Sequence, residues 1–166
     1  MPFEIRAVRP EEHEEAGRVT ALAFDTSGTA PLSPNPEYLA RVADVRARAE
    51  HALILGAFED GQILGTVTLE LTGRIPGGHP RPPLGPDQAT VRMLGVHPDA
   101  QGRGVARRLM EACLDEARQS GKHRITLDTT EAMVPAQRLY ESMGFRRGQD
   151  LVWDDGFRLR TYELAL

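Results

Sequence analysis

Apolar and polar positions repeat with two different periods along the chain, and the changes of period mark the predicted elements. Alternation, or a short apolar run, predicts strands over 3–8, 51–58, 62–71, 89–96, 124–130, 145–153 and 157–166. A 3.6-residue period predicts helices from Pro10 to the loop at 26–36, over 37–50, from the turn at 101–106 to Ser120, and over 134–143. This order predicts a mixed α/β (α+β) fold, with a central sheet of about seven strands flanked by about four helices.

Turn residues divide these elements. An Asp60-Gly61 step between two strand-like runs predicts an antiparallel hairpin, and Asp155-Gly156 predicts a second hairpin near the end. The stretch 73–87 is too rich in glycine and proline to hold a helix or a strand. Cys113 falls on the apolar face of the helix that ends at Ser120, which predicts a core position and not a nucleophile.

Composition narrows the class of protein. The 166 residues and 18.3 kDa suit one domain over 1–166, and a net charge of -4 argues against a nucleic-acid partner. Apolar runs stay short of the ~20 residues of a membrane span, and the start of the chain lacks the apolar core of a signal peptide. We therefore expect a cytoplasmic protein with no membrane partner. The five histidines show no metal-site spacing, so no metal is expected.

A run of small and basic residues, Gln101 to Ala106, stands directly before an amphipathic helix. The first N–H groups of a helix have no internal partner and carry partial positive charge, so such an end attracts phosphate. Gly102 and Gly104 remove side-chain bulk, and Arg103 and Arg107 add charge. The alternative is a permissive loop before a helix with a solvated basic face. The motifs of nucleotide P-loops and dinucleotide folds do not match this run.

The segment 89–145 resembles the GNAT superfamily of acyl-CoA-dependent N-acyltransferases. The family's core motif, Gln/Arg-x-x-Gly-x-Gly/Ala between a strand and a helix, is matched by Gln101, Gly104 and Ala106. Its second motif, Ala-x-x-Leu-Tyr-x-x-x-Gly-Phe, is matched from Ala136 to Phe145. Two motifs in the right order are more specific than either alone, and the predicted order of elements fits the family fold over nearly the whole chain.

The resemblance implies acetyl-CoA as cosubstrate and a bulged fourth strand that splays from the fifth. The pyrophosphate would contact the turn and helix start, and the pantetheine arm would bond the fourth strand. Gly95 itself is compatible with such a bulge, and a backbone N–H near Val96 would receive the thioester oxygen. The implied coenzyme-binding residues are Leu94, Gly95, Val96, Gln101, Gly102, Arg103, Gly104, Val105, Ala106 and Arg107.

Direct attack of an amine on a thioester needs a proton donor for the departing thiolate, and the family implies Tyr140 for this role. The alternative is that Tyr140 only packs. The base is open: Glu70 and Asp128 are candidates at strand ends, and each is compatible with a solvated carboxylate. One departure from the family is Met133, where many members have asparagine, so a polar contact to the coenzyme is in doubt.

The resulting hypothesis is an acetyl-CoA-dependent N-acetyltransferase that acts on the primary amine of a small molecule or peptide. A rival is a GNAT-like domain that binds acyl-CoA without turnover, as a sensor or interaction module. A third interpretation is a partner-binding domain with no coenzyme. The acceptor is expected to contact the loops at 26–36 and 73–87 and the final hairpin. Family members often dimerise, so a homodimer is compatible with the sequence.

Overall fold

The structure is a computed structural model that describes residues 2–26 and 36–166, so nearly all of the loop predicted at 26–36 lies outside the described residues. The helices are α1 (His13–Thr26), α2 (Pro36–Ala43), α3 (Val45–Ala49), α4 (Val105–Gln119) and α5 (Val134–Ser142). The strands are β1 (Glu4–Ala7), β2 (Leu53–Glu59), β3 (Gln62–Glu70), β4 (Gln88–Val96), β5 (Arg124–Thr129), β6 (Arg146–Arg147), β7 (Leu151–Val152) and β8 (Arg158–Ala165). The mixed α/β prediction is confirmed.

The described strands form a mixed sheet in the order β1-β2-β3-β4-β5-β8-β6, with β7 paired to β8. Neighbours are antiparallel except β4 and β5, which are parallel. Both predicted hairpins are present, β2–β3 and the β7–β8 ribbon. The strand predicted over 145–153 is divided into the short β6 and β7, which both pair with β8.

Helices cover both faces of the sheet, because successive strand residues point to opposite sides. On β2, Leu55 belongs to the core cluster that contains α4, and Ile54 belongs to the cluster that contains α1 and α3. Cys113 is fully buried in the α4 cluster, so its predicted core position is confirmed. This sandwich fixes α1 and α4 against β3 and β4, the strands that form the site below.

The helix predicted over 37–50 is divided at Asp44. Its side chain accepts the N–H of Ala47 at 3.1 Å and so starts α3 as a new helix. The buried Arg48 then donates to the carbonyl oxygens of Arg41 and Val42, at 2.8 and 2.7 Å, at the end of α2. Apolar periodicity did not reveal the break, because both short helices keep the same buried stripe.

A single carboxylate organises the start of α1. A 3-10 turn (Pro10–Glu12) precedes the helix. Glu12 accepts two hydrogen bonds from the Arg6 guanidinium, at 2.9 and 2.8 Å, and one from the N–H of Arg9 at 2.8 Å. The bonds to Arg6 are the main reason that the pKa of Glu12 falls to about 2. The charged carboxylate therefore stabilises the folded chain.

We expect Glu12→Gln to reduce the free energy of unfolding by about 1–2 kcal/mol at pH 7, because the charged acceptor is lost. A lowered pKa contributes stability that is present above the ordinary value and disappears as the pH falls toward about 2. The difference from wild type should therefore shrink below about pH 4.5. Urea unfolding across this range checks it, with the exposed neighbour Glu11→Gln as control. A difference that does not depend on pH would contradict the charge explanation.

Candidate functional site

The sheet opens between β4 and β5. The two strands pair only from Gln88↔Arg124 to Val91↔Leu127, and β4 then leaves its neighbour. Two residues of β4, Met93 and Leu94, lie opposite the single residue Val67 of β3, and this extra residue is a β-bulge. Met93 has φ 53, a left-handed conformation that is costly for a non-glycine residue and is concentrated at functional sites. The bulge bends β4 away from β5 and creates a gap.

The bulge does not fall on Gly95, where the sequence had suggested it. Gly95 pairs regularly with Thr66 of β3. A Cβ atom at Gly95 would lie 3.0 Å from the Cβ of Ala23, so the missing side chain is what lets α1 approach β4 closely. Glycine is needed here for packing, and Met93 carries the unusual backbone conformation.

One side of the gap is a groove of about 580 Å³, called here the β4–α4 groove. Leu94, Gly95 and Val96 form its strand side, and the turn and first residues of α4 form its end. Among the residues implied by the family, those that line it are Leu94, Gly95, Val96, Gln101, Gly102, Gly104, Val105, Ala106 and Arg107. The sequence-predicted set is therefore brought together on one surface, with the exception of Arg103.

Arg103 lies outside the lining of the groove. Its guanidinium pairs with the carboxylate of Glu59, at the end of β2, with a shortest distance of 2.6 Å. Arg107 is the basic side chain that remains at the groove, and it donates to the Ser142 hydroxyl at 2.6 Å. This bond connects the first turn of α4 to the end of α5.

The start of α4 presents open backbone donors. Gly104 caps the helix in the left-handed region at φ 80, with no side-chain hydrogen bond to the cap, and the N–H of Arg108 makes a helical bond to the Gly104 carbonyl at 3.1 Å. The N–H groups of Val105, Ala106 and Arg107 precede that bond and belong to the set without internal partners. Gly102 also has a positive φ, of 79. The two glycines thus allow positive φ angles and also leave the backbone open to a ligand.

The opposite wall of the groove comes from α5 and is apolar. Met133, Pro135, Ala136 and Leu139 line it. Met133 stands at the N-cap of α5 with no side-chain hydrogen bond to the helix, at the position where many family members have asparagine. This wall can therefore pack against an alkyl chain but offers no side-chain donor at Met133.

The other side of the gap is a second cavity of about 360 Å³, called here the β4–β5 pocket. It shares Phe24, Leu94 and Met133 with the groove, so the two spaces meet at the bulge. Its volume lies at the small end of the range for small-molecule sites. A molecule in the pocket and a molecule in the groove would therefore meet beside Leu94.

Tyr140 reaches the β4–β5 pocket from α5. It is 6% exposed, and its ring packs against Phe145 and Tyr162 with centroids 5.9 Å away in each case. The hydroxyl makes no hydrogen bond to any residue that the structure describes. Burial raises the pKa of Tyr140 well above its usual range, so the phenol keeps its proton at neutral pH. The ring of Tyr140 therefore packs in the core, and its protonated hydroxyl has no partner among the described residues.

The two candidate bases lie in different places. Asp128 lines the β4–β5 pocket, where its carboxylate accepts a hydrogen bond from Arg81 Nε at 2.7 Å. Glu70 is fully buried and is not among the residues that line the pocket. Its Oε2 accepts the N–H of Ile75, which anchors the loop after β3, and burial raises its pKa. Asp128 is thus the candidate that an acceptor could touch.

The predicted acceptor loop at 73–87 is fixed to the final hairpin by aromatic contacts. His79 stacks on Phe157 with ring centroids 4.4 Å apart, and it pairs with Asp155 at 2.8 Å. Trp153 donates to the carbonyl oxygen of Pro80 at 2.9 Å. His79 and Phe157 line the β4–β5 pocket. Both segments therefore contribute to its wall, whereas the loop at 26–36 lies almost wholly outside the described residues.

The arginine residues of this pocket are far apart in the sequence and were not predicted from it. Arg41, Arg81 and Arg92 all line it, although they come from α2, from the loop after β3 and from β4. Two carboxylates, Glu37 and Asp128, line it as well. No spacing in the sequence links these residues, since only the fold brings them together. The one signal in the sequence for a charged pocket was Arg92, an arginine in the middle of an apolar strand.

The described residues form neither a metal site nor a membrane-spanning helix. Within residues 2–26 and 36–166, no group of three or more His, Cys, Asp or Glu side chains could hold a metal ion. None of the helices in these same ranges is long and apolar enough to cross a membrane.

Comparison with known proteins places the chain in a family. A model of the acetyltransferase (GNAT) family matches residues 19–145. A mycothiol acetyltransferase from Cellulomonas flavigena is 33% identical over 152 residues, which cover 86% of this chain and 40% of that protein. A mycothiol acetyltransferase from Acidothermus cellulolyticus is 35% identical over 108 residues, covering 60% of this chain and 32% of that protein. The chain thus spans less than half the length of these two curated relatives.

Solved structures share the fold. A GCN5-related N-acetyltransferase from Rhodopseudomonas palustris superposes with a TM-score of 0.76 at 21% identity, covering 100% of this chain and 97% of that one. The yncA protein from Salmonella typhimurium, solved with its cofactor acetyl-CoA, gives 0.72 at 20% identity, covering 99% and 94%. These likenesses show the architecture. Since the family model also covers most of the sequence, the chain belongs to the acetyltransferase (GNAT) family.

Proposed function

We propose that the protein is an acetyl-CoA-dependent N-acetyltransferase that acetylates the primary amine of a small molecule or peptide by direct attack. The observation that carries the proposal is the meeting of the β4–α4 groove and the β4–β5 pocket beside Leu94, with the Tyr140 phenol in the pocket. Such an arrangement brings a thioester and an amine together from opposite sides. The names of the curated relatives support acetyl transfer.

The groove fits acetyl-CoA in its chemistry. The N–H groups of Val105, Ala106 and Arg107 would hold the pyrophosphate, with the Arg107 guanidinium beside them. The β4 backbone from Leu94 to Val96 would bond the amides of the pantetheine arm, and the apolar α5 wall would pack against its alkyl part. Arg103, which pairs with Glu59, would contribute only long-range charge.

The reaction moves one acetyl group and one proton. The amine nitrogen attacks the thioester carbon, a C–N bond forms, and the C–S bond breaks to release thiolate. The Tyr140 hydroxyl protonates that sulfur, and the nitrogen loses a proton to Asp128 or to water in the pocket. A backbone N–H near Val96 would bind the oxyanion. Tyr140 then regains its proton from solvent, which restores the starting state.

The rival hypothesis, a domain that binds acyl-CoA without turnover, draws support from Met133 in place of asparagine. The available Tyr140 hydroxyl and the pocket that adjoins the groove favour the enzyme. The proposal still predicts that the protein is cytoplasmic and is compatible with a homodimer.

Coenzyme A should raise the melting temperature by about 5–10 °C at 100 times its dissociation constant. A ligand at that excess adds about 2.7 kcal/mol to the folded state, and a domain of this size gains about 2–4 °C per kcal/mol. Differential scanning fluorimetry checks the shift, and thiol release from acetyl-CoA with a pool of amines checks turnover. An unchanged melting temperature at millimolar coenzyme A would remove the proposal, whereas a shift without thiol release would favour the rival.

A further inference from the structure

We infer that the acceptor carries a carboxylate as well as an amine, and that Arg92 binds this carboxylate in the β4–β5 pocket. The inference rests on the proposed acetyl transfer and names the substrate class for it: small amino acids and related amino carboxylates. The observation is a half-buried guanidinium that has no partner among the described residues and lies on the wall of the pocket that adjoins the groove.

Arg92 is unusual among the arginines near the pocket. Arg81 pairs with Asp128 at 2.7 Å, and the buried Arg48 donates to two carbonyl oxygens and to Thr68. Arg92, in contrast, makes no hydrogen bond or ion pair with any residue in the described ranges, although it is only partly exposed. A guanidinium on a pocket wall without a protein partner can bind an anionic group of a ligand. A ligand is the partner that this position lacks.

The neighbours of Arg92 strengthen the need for an anion. Burial is the main reason that the pKa of Arg92 is lowered, and the charge of Arg81 acts in the same direction, whereas Glu70 and Tyr38 act in the opposite direction. Arg41 lies on the same pocket wall, with its guanidinium over the Tyr38 ring and without an ion pair in the described chain. Arg41 is exposed and Arg92 is partly buried, and neither has an ion pair with another of the described residues. An anionic group of the ligand would offset the repulsion among these guanidiniums.

The chemistry of the pocket favours a carboxylate on a small acceptor. A guanidinium binds a carboxylate through two parallel hydrogen bonds, which fixes orientation as well as affinity. Asp128 lies on the same wall and offers an oxygen to the amine. The volume of about 360 Å³ suits a compact molecule whose amine and carboxylate are a few atoms apart. With the carboxylate on Arg92, the amine would face the junction beside Leu94.

The first test uses wild-type protein and needs no substitution. Amino acids should be acetylated with kcat/KM about 30- to 1,000-fold above that of their carboxamides or of the amines that lack the carboxylate, because one charged partner is missing from a buried pair. The kcat/KM of amines that carry a phosphomonoester in place of the carboxylate is measured in the same way. Equal rates for amino acids and carboxamides, or a preference for the phosphorylated amines, would overturn the carboxylate inference while leaving acetyl transfer intact. Absence of transfer to every amine, together with a coenzyme-induced thermal shift, would instead defeat the proposed function.

The second test assigns the carboxylate to Arg92. Arg92→Gln should lower kcat/KM for amino acids about 30- to 1,000-fold and leave the rate with carboxamides within a few-fold, and Arg92→Lys should fall between. The exposed Arg46→Gln, on α3 and away from the pocket lining, is the matched control and should behave as wild type. The thermal shift with coenzyme A verifies folding of each variant. An equal loss for both classes of acceptor would contradict the assignment, and if Arg92→Gln does not fold, the wild-type comparison still decides the acceptor class.

Discussion

Tyr140→Phe should lower the turnover number by about 10²–10⁴-fold, the usual contribution of a positioned acid or base. Phenylalanine keeps the ring between Phe145 and Tyr162 and removes only the hydroxyl. Coenzyme affinity should stay within a few-fold, because Tyr140 is not among the residues that line the groove. The loss should become smaller with acyl donors whose thiols are more acidic, since a better leaving group needs less protonation. Steady-state kinetics at saturating acetyl-CoA checks this.

Tyr162→Phe is the matched control for that experiment. Its ring lies in the same buried cluster, and its hydroxyl donates to Glu141 at 3.1 Å and not into the pocket. Removing it should cost about 1 kcal/mol of stability and leave turnover near wild type. The raised pKa of Tyr140 further predicts that its acid form persists beyond pH 10, so deprotonation of this group should not lower the rate below that pH. Near wild-type turnover of Tyr140→Phe would show that its role is packing.

Ala106→Glu should weaken coenzyme binding by about 100-fold or more, because a carboxylate would stand where the pyrophosphate is expected. Ala106 lines the groove in the first turn of α4, and no acidic residue occupies that turn. An acidic side chain near a helix N-terminus stabilises the helix by about 0.3–1 kcal/mol, so the fold should persist. Calorimetric titration with coenzyme A measures the loss.

Gln119→Glu supplies the same change of net charge at the other end of α4. At about 1.5 Å of rise per residue it lies about 20 Å away, beyond the screening length of about 8 Å in physiological salt. It should bind coenzyme A as wild type does. Wild-type affinity of a folded Ala106→Glu protein would show that the helix start does not hold the coenzyme.

The sequence predicted the elements well where one local pattern decides them. The glycine-rich turn, the apolar stripe of α4 and the two Asp-Gly hairpins are local features, and each appears where expected. The break at Asp44 was missed because the buried stripe continues through it, and the bonds from Arg48 to the end of α2 are set by tertiary packing. The reason for Gly95 was missed for a similar cause: the close approach of α1, which requires a small residue there, is a tertiary contact.

The sequence predicted the coenzyme side of the site, because a motif encodes the turn before α4. The turn and the β4 segment meet in one groove, but the sequence did not show that Arg103 pairs with Glu59 at the end of β2. It also did not distinguish a buried Glu70 from a pocket-lining Asp128, since both lie near the ends of apolar strands. The acceptor side is built from separate elements with no common spacing, so its charge emerges only from the fold.

The most direct test of the account is to identify the product. Wild-type protein is incubated with acetyl-CoA and a set of free amino acids, and N-acetylated compounds and released thiol are quantified together by mass spectrometry and a thiol assay. We predict one N-acetyl product for each coenzyme A released, with no release when the amine is omitted. Binding of coenzyme A without an acetylated product from any amine, or thiol release that does not need an amine, would contradict direct N-acetyl transfer.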